Sequence, residues 1–142
     1  MKTIKSTLLL LVMAVAFASC TQKMNFVKSN VVPAAEGYVK VKKDNNDNYN
    51  LTVSVENLAK PGDLTPARDT YVVWMQSDRN DLQKLGQIKV ASGLFDSSLD
   101  GELKTTTTVK PERVFITAER DGNVRNPIGE TILTTRTDNG IF

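Results

Sequence analysis

Side chains that could act as nucleophiles or bases are concentrated in one stretch of the sequence. Ser97, Ser98, Asp100 and Glu102 are followed by four threonines at 105–108. A hydroxyl nucleophile needs an adjacent base, and because the chain contains no histidine only a lysine or a carboxylate could serve. No Ser-x-x-Lys or Gly-x-Ser-x-Gly motif is present, and nothing places two carboxylates in a cleft for glycoside hydrolysis. We therefore expect no catalytic residue and a protein that is not an enzyme.

The segment Asp44-Asn45-Asn46-Asp47-Asn48 is the candidate for cation binding, since calcium prefers carboxylate and carbonyl oxygens. An EF-hand loop requires a glycine at its sixth position and a glutamate at its twelfth, and neither is present. These residue types are also typical of a solvated turn. With no histidine and a single cysteine, zinc and other transition-metal sites are disfavoured as well. We expect neither a metal ion nor another cofactor.

Trp74 is the single tryptophan and admits two interpretations. An exposed indole could stack on a sugar ring, whereas a buried one would fill the centre of a core. The surrounding segment 70–76 is apolar on both sides of the pleat, which favours the second interpretation and makes Trp74 the central filler of the fold. The solvent exposure of Trp74, Tyr38 and Phe95 would distinguish a protein core from a carbohydrate-binding surface.

These side chains must be positioned by strands. The chain has 142 residues, 40% of them apolar and 24% charged, which suits one globular domain. Apolar residues recur with a period close to two, and the segments 37–42 and 49–55 form a hairpin pattern around the turn at 44–48. Segments 70–76 and 113–119 are apolar on both faces, as in central strands. Further strands are predicted at 85–90, 102–109 and 130–135.

Seven or eight short strands separated by turns predict an all-β fold, an antiparallel two-sheet β-sandwich. We assign this domain to residues 34–142. Residues 20–33 are predicted to be a lipid-anchored tether that merges into the first strand.

The N-terminus has the pattern of a secretory signal peptide. Lys2 and Lys5 precede an uncharged apolar run at 8–17, and small residues follow. A membrane-spanning helix would need about 20 apolar residues, and the polar segment 21–23 ends the run too early. Residues 1–19 are therefore predicted to be a cleaved leader.

Phe17-Ala18-Ser19-Cys20 resembles the lipobox of bacterial lipoproteins, although Phe17 stands where leucine is most common. The resemblance implies that Cys20 is diacylated and becomes the N-terminus of the mature protein. Two acyl chains hold a protein stably on a membrane. Residues 21–25 lack an acidic sorting cluster, so we expect a cell-envelope protein anchored in a bacterial membrane, with the outer membrane favoured, that faces the periplasm or the cell surface.

Loss of the leader also removes the apparent basicity of the chain. Removing Lys2 and Lys5 from 18 basic residues leaves 16, which equals the number of acidic residues. No basic run exceeds Lys42-Lys43. Because nucleic-acid binding requires a positive surface that displaces counterions, we expect no nucleic-acid partner.

From residue 70 to about residue 135 the sequence resembles the extracytoplasmic C-terminal domain of anti-sigma-K factors. The resemblance is carried by a Tyr-x-x-Trp strand, a Leu-Gly strand, a Thr-x-Glu strand and a Pro-x-Gly turn, here Tyr71-Val72-Val73-Trp74, Leu85-Gly86, Thr117-Ala118-Glu119 and Pro127-Ile128-Gly129. It implies an immunoglobulin-like sandwich. That family binds its sigma factor through a separate cytoplasmic helical domain joined by a transmembrane helix. Neither is recognised in this sequence, so the resemblance implies a sensory or scaffold module rather than the regulatory activity itself.

Together these observations predict a non-catalytic, lipid-anchored envelope protein whose sandwich is an interaction or structural module with an envelope protein as partner. Loops at the ends of sandwiches commonly carry recognition, so the candidate surfaces are 58–69, 77–83 and 120–128. The alternative is a carbohydrate-binding module of an envelope system that handles glycans.

Overall fold

The computed structural model describes residues 20–91 and 98–136, and nearly all of these residues belong to strands or the short connections between them. One 3-10 turn covers Pro61–Asp63. The strands within the described residues are β1 (Thr21–Asn25), β2 (Glu36–Lys43), β3 (Tyr49–Ala59), β4 (Thr70–Ser77), β5 (Leu82–Gln87), β6 (Lys89–Ala91), β7 (Ser98–Thr107), β8 (Pro111–Glu119) and β9 (Thr131–Thr134).

These strands form two antiparallel sheets. The five-stranded sheet has the order β1-β2-β3-β7-β6, and the four-stranded sheet has the order β5-β4-β8-β9. The apolar faces of the two sheets form one continuous core, to which both contribute buried side chains such as Val53, Leu58, Val73 and Ile116. The predicted all-β, two-sheet antiparallel sandwich is confirmed.

The predicted hairpin around the 44–48 turn is formed by β2 and β3. Val39 pairs with Val53 and Val41 pairs with Leu51, and all four side chains are buried. The lysines and polar residues between them lie on the opposite face, which is exposed to water. This alternation is the reason that the hairpin could be recognised from sequence.

The described residues contain nine strands rather than seven or eight, partly because the expected strand at 85–90 is divided between the two sheets. β5 pairs with β4 in one sheet, and β6 pairs with β7 in the other. The chain crosses at Ile88, whose side chain is buried and whose amide donates to the carbonyl of Tyr71 (3.1 Å). Gly86 just before it has φ +147°, a conformation that favours glycine, beside the bulge between Val73 and Trp74.

The remaining difference concerns the segment 20–33, which the sequence predicts as a tether. β1 begins directly after Cys20 and pairs along its whole length with β2. The chain then bridges to the other sheet, since Phe26 pairs with Thr135 and the amide of Val27 donates to the carbonyl of Thr134 (2.8 Å). This segment is thus part of the sandwich, and its strand was not recognised because β1 is an edge strand with mostly polar side chains.

The second residue of β4, Tyr71, links the two sheets. The hydroxyl of Tyr71 donates to the carbonyl of Ala59, at the end of β3, over 2.7 Å. The ring is 1% exposed and belongs to the core between the sheets. Burial, with a smaller contribution from the Asp63 carboxylate, raises the pKa of Tyr71 to about 12. The bond fixes the start of the connection between β3 and β4.

The raised pKa of Tyr71 predicts a loss of stability at high pH. A tyrosine in the unfolded chain ionises near pH 10, so its contribution is complete below about pH 10 and declines as pH rises towards 12. We expect Tyr71→Phe to be less stable than wild type by about 1 kcal/mol at pH 8, through loss of the hydrogen bond. The difference in free energy of unfolding between the two proteins, measured by urea unfolding, should become smaller at pH values above 10. A difference that stays constant over this range would contradict the raised pKa of Tyr71.

Candidate functional site

Trp74 is buried completely, but not where the sequence predicts it. Tyr71, Val73 and Met75 point into the core between the sheets, so that Trp74 points to the outer face of the four-stranded sheet. There it forms a separate cluster with Val72, Phe115 and the partly buried Val124. The prediction that Trp74 is a buried side chain is therefore confirmed, and its predicted place at the centre of the sandwich is wrong, because β4 alternates between two covered faces.

A chain of buried hydrogen bonds leads from Trp74 to a carboxylate. The indole Nε1 donates to Thr117 Oγ1 (2.8 Å), and this hydroxyl donates to Glu119 Oε1 (2.7 Å). Glu119 is 2% exposed, and it also accepts from the amides of Ile128 (3.0 Å) and Gly129 (2.9 Å). The carboxylate thus joins β8 to the connection between β8 and β9.

That connection, residues 120–130, covers the outer face of the four-stranded sheet. Lys84 on β5 donates to the carbonyl of Gly122. At Gly129 the chain passes so close to β8 that a Cβ atom would lie 1.7 Å from the carbonyl oxygen of Ala118. Only glycine fits there, so the position of the connection is determined by close backbone approach as well as by Glu119.

Two of the three predicted recognition loops meet. The amide of Asp69 donates to the backbone carbonyl of Glu119 (2.9 Å), which brings 58–69 beside 120–128. The loops border an open cleft of about 330 Å³, and Ile128 at its rim is 80% exposed. We call this region the loop surface. The residues that line its cleft are Arg68, Glu119, Arg120, Asp121, Val124, Ile128 and Gly129.

The third predicted loop, 77–83, lies at the opposite end of the sandwich. The amide of Asp78 donates to the carbonyl of Lys110 (3.2 Å), and Thr107 Oγ1 donates to Gln83 Oε1 (3.0 Å). Thr107 pairs with Tyr49, which begins β3 next to the hairpin turn 44–48. The loop 77–83 therefore does not contribute to the loop surface.

Among the candidate nucleophiles, Thr106 and Thr107 have described hydrogen-bond acceptors, and neither acceptor is a base. Asp100 accepts from the amide of Asn57 (3.1 Å), and Glu102 forms an ion pair with Lys104 (3.0 Å). The hydroxyls of Thr106 and Thr107 donate to the side-chain amide oxygens of Asn50 and Gln83. Ser97 and the side chain of Ser98 lie outside the described residues. Where the hydroxyl contacts are described, the acceptor is a neutral amide that cannot remove a proton.

The carboxylates of the 44–48 turn have separate partners. Asp44 Oδ1 accepts from the amides of Asn46 (2.8 Å) and Asn48 (3.0 Å), and the hydrogen bond from Asn48 lowers the pKa of Asp44. Asp47 forms an exposed ion pair with Lys43 (2.7 Å). Asp44 thus caps the turn, whereas Asp47 is held by an ion pair at the surface.

Cys20 is exposed, has a free thiol and immediately precedes β1. Among residues 20–91 and 98–136, no helix has the length and apolar character needed to cross a bilayer. The predicted signal peptide, residues 1–19, lies outside the described residues, as does Phe95. Tyr38 is partly exposed, on the outer face of the five-stranded sheet.

Comparison of the chain with protein-family models, with curated proteins and with solved structures found no match.

We predict that Trp74→Ala lowers the free energy of unfolding by about 3–5 kcal/mol, because it empties the outer cluster and removes the donor to Thr117. Trp74→Phe retains an aromatic ring but lacks the hydrogen-bond donor, so its free energy of unfolding should lie between those of Trp74→Ala and wild type. Denaturant unfolding measures both. Unchanged stability of Trp74→Ala would contradict the buried, bonded position of the indole.

Proposed function

We propose that this protein is a non-catalytic, lipid-anchored protein of the bacterial cell envelope that presents the loop surface to a protein partner. The observation that carries the proposal is the separation of two features. Cys20 adjoins the first residue of β1 at one end of the sandwich, while the loops 58–69 and 120–128 meet at the other end.

The length of β3 gives the scale of this separation. β3 starts at Tyr49, which pairs with Lys43 at the end of β2. The adjacent Lys42 pairs with Thr21, the residue that follows Cys20. It runs for 11 residues to Ala59, a length of about 35 Å at the rise of a strand. A lipid on Cys20 would therefore hold one end of the domain at the membrane and direct the loop surface away from it.

The composition of the loop surface suits a protein partner. Arg68 and Arg120 line the cleft, Arg125 is exposed nearby, and Ile128 is an apolar side chain in water. Arginine and isolated apolar anchors are typical of protein interfaces, where the guanidinium binds carboxylates and carbonyls in a fixed geometry. The buried contacts of Glu119 hold the loop in place before a partner arrives, which reduces the entropy lost on binding.

The resemblance to the extracytoplasmic domain of anti-sigma-K factors supports a sensory or scaffold role for such a module. A carbohydrate-binding role would require an exposed aromatic platform. Trp74 is fully buried, and two lysine ammonium groups lie over the ring of Tyr38. Within the described part of the chain, the aromatic residues therefore favour a protein partner over a sugar.

The anchoring step predicts acylation of Cys20. When the full chain is produced in a bacterial host, mass spectrometry of the mature N-terminal peptide should show a diacylated cysteine, and the protein should fractionate with membranes. Cys20→Ser should lack the lipid and lose membrane fractionation, whereas Ser19→Ala, which keeps a small residue before the cysteine, should behave as wild type. Recovery of unmodified Cys20 from membranes would contradict the anchor.

The loop surface predicts position-specific cross-linking in intact cells. A photoreactive amino acid at Arg125, in the 120–128 loop, should form a discrete cross-link to an envelope protein. The same group at Arg79, in the exposed 77–83 loop at the other end, is the matched control and should not form that cross-link. Equal cross-linking from both positions, or cross-linking from position 79 alone, would exclude the loop surface as the partner site.

A further inference from the structure

Three lysines lie together on the outer face of the five-stranded sheet. The side chains of Val39 and Val41 are buried, so the exposed Lys40 and Lys42 project from the opposite face of β2. Lys23 on β1 is the direct cross-strand partner of Lys40. We call these three residues, Lys23, Lys40 and Lys42, the lysine patch.

The patch places like charges side by side. The ammonium group of Lys23 is 4.4 Å from the ring centroid of Tyr38, and that of Lys40 is 5.3 Å from it. Both ammonium groups therefore lie near the same tyrosine ring, on the outer face of the five-stranded sheet. Like charges directly opposite each other destabilise a sheet, and the cation–π contacts offset only part of that repulsion.

Among residues 20–91 and 98–136, no ion pair is seen for the three patch lysines. Their neighbours Lys43 and Lys104 are paired, with Asp47 and Glu102. The three lysines are exposed to water. Their charge is thus available to an external anionic group.

On this face, Glu102 of β7 is paired with Lys104, and the negative charge of β2 and β3 lies at the end far from the patch. Glu36 and Glu56 form a cross-strand pair at the start of β2, and both are exposed. Glu36 is six residues from Lys42, a distance of about 20 Å along the strand. This distance exceeds the electrostatic screening length of about 8 Å at physiological ionic strength, so these glutamates do not neutralise the charge of Lys42. The chain after residue 19 has equal numbers of basic and acidic residues, yet its outer sheet face is positive at one end.

The positive end is the end next to Cys20. Thr21 is the cross-strand partner of Lys42, and the other patch residues lie within the next two positions of their strands. β1 starts directly after Cys20, so no tether of several residues separates this position from the patch. Any surface to which Cys20 is attached is therefore within reach of the lysines.

We infer that the lysine patch binds the anionic headgroups of the lipid bilayer to which Cys20 is anchored. This inference rests on the proposed anchoring for the identity of the surface, and it adds the face of the domain that contacts the membrane. Basic side chains close to an anionic membrane strengthen binding through their charge, and the contribution falls within a screening length of the surface. The patch would tilt the five-stranded sheet towards the bilayer and keep the loop surface free.

The decisive experiment uses the chain from residue 20 to residue 142 with Cys20→Ser, which removes acylation. The nine described strands lie between Thr21 and Thr134, so this chain contains both sheets. It should co-sediment with vesicles that contain phosphatidylglycerol, should not co-sediment with vesicles of phosphatidylcholine alone, and should be released by added salt. Lys23→Gln, Lys40→Gln and Lys42→Gln together should weaken partitioning by about 100-fold, about fivefold for each lysine.

The matched control replaces three exposed cations at the opposite end of the domain, Lys60→Gln, Arg120→Gln and Arg125→Gln, with the same change in net charge. It should retain partitioning within about twofold of the parent, since these groups lie outside the patch. Equal loss in both triple variants would show a net-charge effect and overturn the inference, as would a parent that stays in the supernatant. Thermal unfolding of each variant confirms that it is folded.

The acylated full chain gives an independent test in the anchored state. In vesicles that contain phosphatidylglycerol, Lys40 and Lys42 should be acetylated by a water-soluble reagent several-fold more slowly than in phosphatidylcholine vesicles, while Lys60 should react equally in both. Equal reaction of Lys40 in the two membranes would overturn the inference. If Cys20 carries no lipid, the proposed anchor fails, but the vesicle experiment with Cys20→Ser still decides whether the face binds anionic lipid.

Discussion

The structure depends on the burial of β4 on both of its faces. One face packs in the core between the sheets, as any sandwich strand does, but the other face carries Trp74 and has no third sheet among the described residues to cover it. The cover is the connection 120–130, which has few apolar residues of its own. Its position is therefore determined by polar contacts. The buried Glu119 carboxylate accepts hydrogen bonds from two loop amides and from the Thr117 hydroxyl, which in turn accepts from the indole of Trp74. A carboxylate buried in this way is stable only because each of its oxygens is hydrogen-bonded.

The same constraint separates the two ends of the molecule. Because Glu119 ends β8, the loop that it holds lies beside 58–69, at the end away from Cys20. The opposite end holds the start of β1, the turn at 44–48 and the lysine patch. One end is thus ordered by buried hydrogen bonds and carries arginines and an exposed apolar side chain. The other end carries positive charge on a flat sheet face. The proposed membrane contact and the proposed partner contact would therefore use two separate surfaces of the domain.

The elements that could be predicted from the sequence are those that alternation of apolar and polar residues reveals. The hairpin of β2 and β3, the central positions of β4 and β8 and the burial of Trp74 all come from apolar periodicity, which reflects water exposure directly. β1 was missed because an edge strand with polar side chains has no such signal. The division of the strand at 85–90 was missed because the change of sheet occurs at one residue, Ile88, within an alternating run. The Glu119 network had a weak signal, a carboxylate two residues after Thr117 in an apolar strand, but its partners are loop amides that local sequence does not specify.

The proposed resemblance to anti-sigma-K extracytoplasmic domains rests partly on residues of this network. Its motifs include Trp74, the Thr117–Glu119 pair and Gly129, and in this structure those residues form one bonded unit. Gly129 is required because the backbone approaches Ala118 too closely for a side chain. Residues that are needed to close a sandwich can be shared by proteins with different activities. These motif residues cover the outer face of the four-stranded sheet, and three of them, Glu119, Ile128 and Gly129, also line the cleft of the loop surface, whereas the lysine patch lies outside the motifs.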